Sequence, residues 1–160
     1  MSNEAKGRVV QISVNPQGGV PKHRVLRTRV ETDGVIGDRQ RNRRVHGGPE
    51  RAVCLYSWEL IRELQDEGHT IDCGTTGENL TLSGLDWAQI RPGVRLSIGD
   101  GVLLEIASYT APCLNIAASF VDGEFKRIGQ KTNPGWSRVY ARVLQPGDIG
   151  ENDVVEIVDA

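Results

Sequence analysis

The sequence predicts a mainly β fold, a closed or half-closed β-barrel of short, largely antiparallel strands with two or three short helices. Three observations predict it. Nineteen glycines, well above the usual share of about 7%, fall mostly between short apolar runs. At least six of those runs have the alternating or compact apolar pattern of strands. Helical patterns do not alternate with them, which argues against a doubly wound sheet and for a sheet that closes on its own edges. At 160 residues the chain suits one domain, residues 1–160, with a full core.

The elements follow in order. Arg8 to Val14 is a first strand, with Val10, Ile12 and Val14 on one face. Asn15 to Gly19 is a loop, and Val25 to Val30 a second short strand. Gly34 to Arg51 is irregular, and Ala52 to Tyr56 is a compact apolar run that reads as a buried strand. Ser57 can cap a helix whose inner stripe is Leu60, Ile61 and Leu64, and Gly68 stops it. Gly77 to Leu82 is loop, then strand. Val94 to Ile98 and Val102 to Ile106 alternate around Gly99-Asp100-Gly101, the pattern of a hairpin. Pro112 fits the first turn of a helix carrying Ile116, Ala117, Phe120 and Val121, with Gly123 as its stop. Glu124 to Gln130 adds a short second helix. Arg138 to Leu144 alternates, Pro146-Gly147-Asp148 turns the chain, and Val154 to Val158 is the last strand.

Composition narrows the function. The net charge of −2 argues against a general nucleic-acid binder. No run of about 20 apolar residues is present, so no transmembrane helix is expected. Met1 to Lys6 is polar, without a signal-peptide core, so the chain is expected in the cytoplasm and away from membranes. Three cysteines form no C-x-x-C pair, and three histidines have no zinc-ligand spacing.

Cys113, in Ala111-Pro112-Cys113-Leu114-Asn115, falls at the strand-to-helix junction. There a helix dipole and free N–H groups would favour a thiolate. A thiolate can serve as nucleophile, sulfur carrier or ligand for a soft metal; the plainer alternative is a small buried apolar residue. Arg39, Arg41, Arg43 and Arg44 fall within six residues, followed by His46, Gly47, Gly48 and Arg51. Guanidinium forks bind phosphate and carboxylate, and glycines let a backbone approach a ligand closely. The alternative is a solvated loop paired with surface acids. Glu78-Asn79 after Gly77 could orient a ligand, hold an arginine or simply turn the chain. Asp38 and Asp100 read as turn residues, the three tryptophans as packing, Cys54 as inert and Cys73 as exposed.

Taken together, these segments resemble the MOSC family, named for the C-terminal domain of molybdenum-cofactor sulfurases. The matching pieces occur in the family's order. Gly37-Asp38-Arg39 and His46-Gly47-Gly48-Pro49-Glu50-Arg51-Ala52-Val53 come first, then Gly77-Glu78-Asn79-Leu80 and Ile98-Gly99-Asp100. Pro112-Cys113, Gly135-Trp136 and Arg142-Val143-Leu144 complete the set. The resemblance spans roughly Arg8 to Val158 and implies a barrel of the MOSC, pyruvate-kinase-barrel-like kind. It implies that Cys113 ligates molybdenum or carries sulfur. The expected cofactor is the molybdenum cofactor (molybdopterin), and charge assigns the phosphate end of its pterin to the arginine-glycine loop: Arg39, Arg41, Arg43, Arg44, His46, Gly47, Gly48 and Arg51, with Glu78 and Asn79. The 160 residues hold no counterpart of the pyridoxal-phosphate-dependent sulfurase domain, of the N-terminal barrel of amidoxime-reducing members, or of the C-terminal helical domain of hydroxylaminopurine reductases.

Three functions are therefore weighed. The chain could bind molybdenum cofactor and reduce N-hydroxylated compounds with electrons from a separate electron-transfer protein. It could instead carry a persulfide on Cys113, loaded by a cysteine desulfurase, for metal–sulfur centres. A binding module for nucleic acid or a phosphometabolite, independent of the cysteine, ranks last because of the charge.

Overall fold

The computed structural model of the chain describes residues 6–39 and 48–159. Among the described residues eleven strands form two sheets: β1 (Lys6–Val14), β2 (His23–Val25), β3 (Arg27–Glu31), β4 (Gly34–Val35), β5 (Val53–Ser57), β6 (Leu80–Ser83), β7 (Arg95–Ile98), β8 (Val102–Tyr109), β9 (Val139–Gln145), β10 (Gly147–Gly150) and β11 (Val154–Asp159). Eight belong to one sheet in the order β11-β7-β8-β9-β5-β6-β1-β2, and β1 also pairs with β11. With β2 appended outside, the other seven close into a barrel. Closure removes the exposed edges that a half-open sheet would present. β10, β3 and β4 form a separate three-stranded sheet.

The barrel pairs are antiparallel except β5 with β6. A parallel pair needs a crossover, and α1 (Trp58–Asp66) lies within it. The Ser57 side chain accepts a hydrogen bond from the Leu60 N–H at 3.1 Å, capping α1. Ile61 and Leu64 are fully buried against the barrel. Gly68, at φ 102° just past the helix end, takes the left-handed conformation that stops it.

The β7–β8 hairpin forms as its alternation predicts, with Leu96 and Ile98 paired to Leu104 and Val102 and all four buried. In β1 Ile12 and Val14 are buried as expected, but the third buried apolar residue is Val9, not Val10. The register with β6 shifts between Val9 and Gln11, and such a bulge turns the residues before it onto the other face.

Other expectations are corrected. Val25 to Val30 is two strands, β2 and β3, broken at Leu26 and belonging to different sheets. Pro146-Gly147-Asp148 is not simply a turn, because Gly147–Gly150 is β10, paired with β3. The helix expected after Pro112 is a six-residue 3₁₀ run, Leu114–Ser119. Its bonds include Ile116 N–H to the Cys113 carbonyl and Phe120 N–H to the Ala117 carbonyl, and i→i+3 bonding of this kind rarely extends far. The second helix shortens to the 3₁₀ turn Phe125–Ile128.

Candidate functional site

A cavity of about 220 Å³ lies against the outer face of the barrel wall where β5 and β9 meet. Cys54 on β5 and Tyr140 on β9 are cross-strand partners, and both line it. Strand alternation sends their neighbours Val53, Leu55, Val139 and Ala141 to the opposite face, where all four are completely buried. Loops complete the enclosure with Lys22, Arg39, Thr76, Thr110, Cys113 and, immediately before β9, Arg138.

Cys113 is half-buried on extended backbone, φ −142° and ψ 174°, and its side chain caps no N–H. Because 3₁₀ turns follow it, the α-helix dipole expected at this position is not formed. The positive charge near the thiol comes instead from side chains sharing the cavity, Lys22, Arg39 and Arg138. The structure thus brings the first arginine of the arginine-rich segment and Cys113 to one cavity.

Lys22 is held in place. Its Nζ donates to Asp38 Oδ2 at 2.7 Å, and neither side chain is more than 8% exposed. The Asp38 carboxylate also accepts from the Asn15 N–H at 2.9 Å and from Asn79 Nδ2 at 2.8 Å. Asp38 is therefore a buried hub, not merely a turn residue. Asn79 extends this network: its Oδ1 accepts from the Cys54 N–H, and its Nδ2 also donates to the Ser13 carbonyl. One carboxamide so joins β5, β1 and the Asp38 loop. Glu78 is fully buried, accepting from the Thr76 and Thr81 hydroxyls at 3.0 and 3.1 Å. Burial pushes its carboxyl above the usual carboxylate range, opposed by those hydroxyls and by backbone N–H groups. Glu78 and Asn79 stand behind the cavity wall and shape it through Thr76 and Asp38.

Arg138 is 5% exposed. Its Nη1 donates to the Thr76 carbonyl, while its Nε is buried with no hydrogen-bond partner among the described residues. Burial pushes the Cys54 thiol up, with Arg138 and Lys22 pulling the other way. Cys54 Sγ lies 3.7 Å from Thr110 Oγ1, so the residue read as inert is a neutral thiol on the cavity wall. Burial also raises the Tyr140 phenol to about 12, with Arg138 and Arg51 opposing the rise. Arg51 sits with its guanidinium 5.4 Å from the centre of the Tyr140 ring. Gly48 opens the 3₁₀ turn Pro49–Arg51 at φ 91°. Arg41, Arg43, Arg44, His46 and Gly47 lie outside the described residues. Cys73 is partly buried, not exposed, and its thiol is pushed up to about 11, mainly by desolvation.

Sequence reasoning did not single out Lys22, Arg138 or Tyr140. Lys22 follows Pro21 in a loop, and Arg138 immediately precedes an alternating strand. The latter was the available signal, since a charge beside a buried strand needs a partner.

The donor set suits a molybdenum cofactor. Cys113 offers a soft sulfur donor, and the cations, including an arginine Nε without a partner, suit the cofactor's phosphate. Among the described residues no three His, Cys, Asp or Glu side chains cluster as a metal site. A metal at Cys113 would bring its remaining ligands with its cofactor.

Comparison with known proteins gives the family and the fold. The model of the MOSC domain matches residues 42–156. The chain belongs to the MOSC family. It is 29% identical over 130 residues to protein YiiM of Escherichia coli, covering 78% of this chain and 56% of that protein. It is 30% identical over 130 residues to the uncharacterized protein YflK of Bacillus subtilis, covering 76% of this chain and 54% of that one. The chain thus matches only about half the length of these MOSC relatives. The crystal structure of YiiM from Geobacillus stearothermophilus superposes with a TM-score of 0.75 at 25% identity, covering 96% of this chain and 75% of that one. The YuaD protein of Bacillus subtilis shares the fold with a TM-score of 0.69 at 15% identity, covering 98% of both chains. Among the described residues no helix is long and apolar enough to cross a membrane.

Proposed function

We propose that this MOSC protein binds molybdenum cofactor in the cavity, with Cys113 as the protein ligand to molybdenum. The observation that carries the reading is the convergence of Cys113 with Lys22, Arg39 and the buried Arg138 on one cavity. When bound, the cofactor would supply two-electron redox chemistry. The chain would supply one thiolate at the metal and positive charge for the phosphate. The phosphate would sit among Lys22, Arg39 and Arg138, with Arg51 adding charge beside Tyr140 on the same cavity. Asp38, Asn79 and Glu78 would hold this frame rigid. The reaction this arrangement suits is reduction of N-hydroxylated compounds, with electrons from a separate electron-transfer protein.

The test is the molybdenum and pterin content of protein purified from a host that makes the cofactor, with Cys113→Ser alongside. Near-stoichiometric molybdenum and pterin in the wild type, with molybdenum lost from the variant, is the expected result. Full molybdenum in Cys113→Ser would sink the ligand assignment.

The partial exposure of Cys113 favours a second reading. A thiol that reaches solvent can accept sulfur from a cysteine desulfurase and pass it to a metal–sulfur centre. That reading expects neither molybdenum nor pterin, and a mass increase of one sulfur on Cys113 after incubation with desulfurase and cysteine.

A further inference from the structure

The segment after Cys113 is built from short 3₁₀ turns, Leu114–Ser119 and Val121–Gly123, whose bonds are poorer than those of an α-helix. Side chains of the connection between α1 and β6 tie it down. Thr70 Oγ1 donates to the Ala118 carbonyl at 3.0 Å, and the Ser119 hydroxyl meets that of Thr75 at 3.0 Å. The Val121 N–H donates to His69 Nδ1, also at 3.0 Å. This last tie depends on protonation. A neutral imidazole accepts at one ring nitrogen, whereas in the cation both nitrogens donate. Since Nδ1 faces a backbone donor, the neutral ring carries its proton on Nε2, which lies 3.5 Å from Glu67 Oε1. A proton added at Nδ1 would set donor against donor. The ring is confined, with a side chain 9% exposed and an edge-to-face contact on Phe120 at 5.3 Å between centroids. Arg127 donates to both Glu67 oxygens, at 2.9 and 2.6 Å, and so holds that carboxyl below its usual range. Glu67 therefore stays ionised across about pH 5 to 8, where imidazole side chains change charge.

We propose that His69 is a positioning residue for the Cys113 cavity: neutral, its ring pins the segment that follows Cys113, and protonated, it lets that segment go. Asn115 and Ile116 of the same segment line the cavity, so release opens one wall and uncovers the thiol in acid. Other charged groups stand close by. Asp122 follows Val121 in its turn, and Asp72 and Glu78 lie on the α1–β6 connection. Comparing proteins that differ only at His69, at one pH, cancels their effect. The latch goes beyond the cofactor reading. Whether the thiol holds a metal or a sulfur rests on that reading and does not enter the test.

The experiment is hydrogen–deuterium exchange of residues 114–123 at about pH 7.5 and about pH 5.5, on the full chain from a host that does not make the cofactor. Wild type is compared with His69→Asn and His69→Phe. The asparagine offers a carboxamide oxygen that accepts the Val121 N–H at either pH. The phenylalanine keeps a ring against Phe120 and accepts nothing. Wild type is expected to match His69→Asn at the higher pH and to exchange about two- to tenfold faster than it at the lower, the range for one net hydrogen bond. His69→Phe should exchange fast at both, and alkylation of Cys113 should follow the same order. Equal exchange by wild type and His69→Asn at both pH values, slow exchange in His69→Phe, or alkylation indifferent to exchange would overturn the latch. Should the variants fail to fold, NMR of wild type decides. The Val121 amide and the His69 ring nitrogens should titrate together, and an amide indifferent to the ring would overturn the proposal. Molybdenum content tests the cofactor reading separately, so either can fail without the other.

Discussion

Arg138, just before β9, and Arg142 within it lie four residues apart in the sequence but in opposite surroundings. Both have a buried Nε without a partner among the described residues. Arg142, however, meets two carboxylates, Glu50 at 2.9 Å and Glu105 at 3.1 Å, and Glu105 also receives Arg95 at 2.9 Å. Its charge is neutralised on the rim of the β7–β8–β9 surface. Among the described residues Arg138, under the loops that roof the cavity, bonds the Thr76 carbonyl and meets no carboxylate. One end of this stretch completes itself within the chain. The other end meets no carboxylate among the described residues and lies on the same cavity as Cys113, the difference on which the proposed site rests.

The largest expected effect comes from destroying the frame behind the cavity. Asn79→Ala leaves the Cys54 N–H, the Ser13 carbonyl and part of Asp38 without partners. Each lost buried partner costs about 1–3 kcal/mol, so chemical denaturation should show a loss of about 3 kcal/mol or more. A loss under about 1 kcal/mol would mean the loops are held otherwise.

The two arginines should then respond differently. Arg142→Gln breaks partly exposed pairs and should cost no more than about 1 kcal/mol. Arg138→Met removes a buried charge that meets no carboxylate among the described residues and should leave the unliganded protein as stable or more stable. Thermal melting without phosphate checks both; a drop in Arg138→Met exceeding that of Arg142→Gln would show that Arg138 is structural.

The smallest effect is a pH dependence. Burial raises the folded-state pKa of Glu78 above its unfolded value. Its contribution is therefore fully present below about pH 4.3, the ordinary glutamate value, and is lost as pH rises through the folded value. The stability of wild type relative to Glu78→Gln should fall as pH rises from about 4 towards neutrality. Melts at a series of pH values that keep a constant difference would contradict this.

Elements whose stability is local were legible in the sequence. The β7–β8 hairpin was read from alternation around Gly99-Asp100-Gly101, and α1 from the Ser57 cap and Gly68 stop. β10 was not, because its partner β3 lies more than a hundred residues away in the chain. The 3₁₀ run after Cys113 was mistaken for an α-helix, since Ile116 and Phe120 at a spacing of four residues satisfy the helical pattern while the hydrogen bonds close at three. Cys113 and the arginine segment were visible as chemistry. Their meeting with Arg138, and the hub at Asp38, were not, because burial there is imposed by loops from distant parts of the chain.

The most direct test of the central claim is the molybdenum-to-protein ratio of wild type, Cys113→Ser and Arg142→Gln, purified in parallel from a host that makes the cofactor. The account predicts a ratio near one for wild type and for Arg142→Gln, and near zero for Cys113→Ser. Equal ratios in all three, or no molybdenum in any, would contradict it.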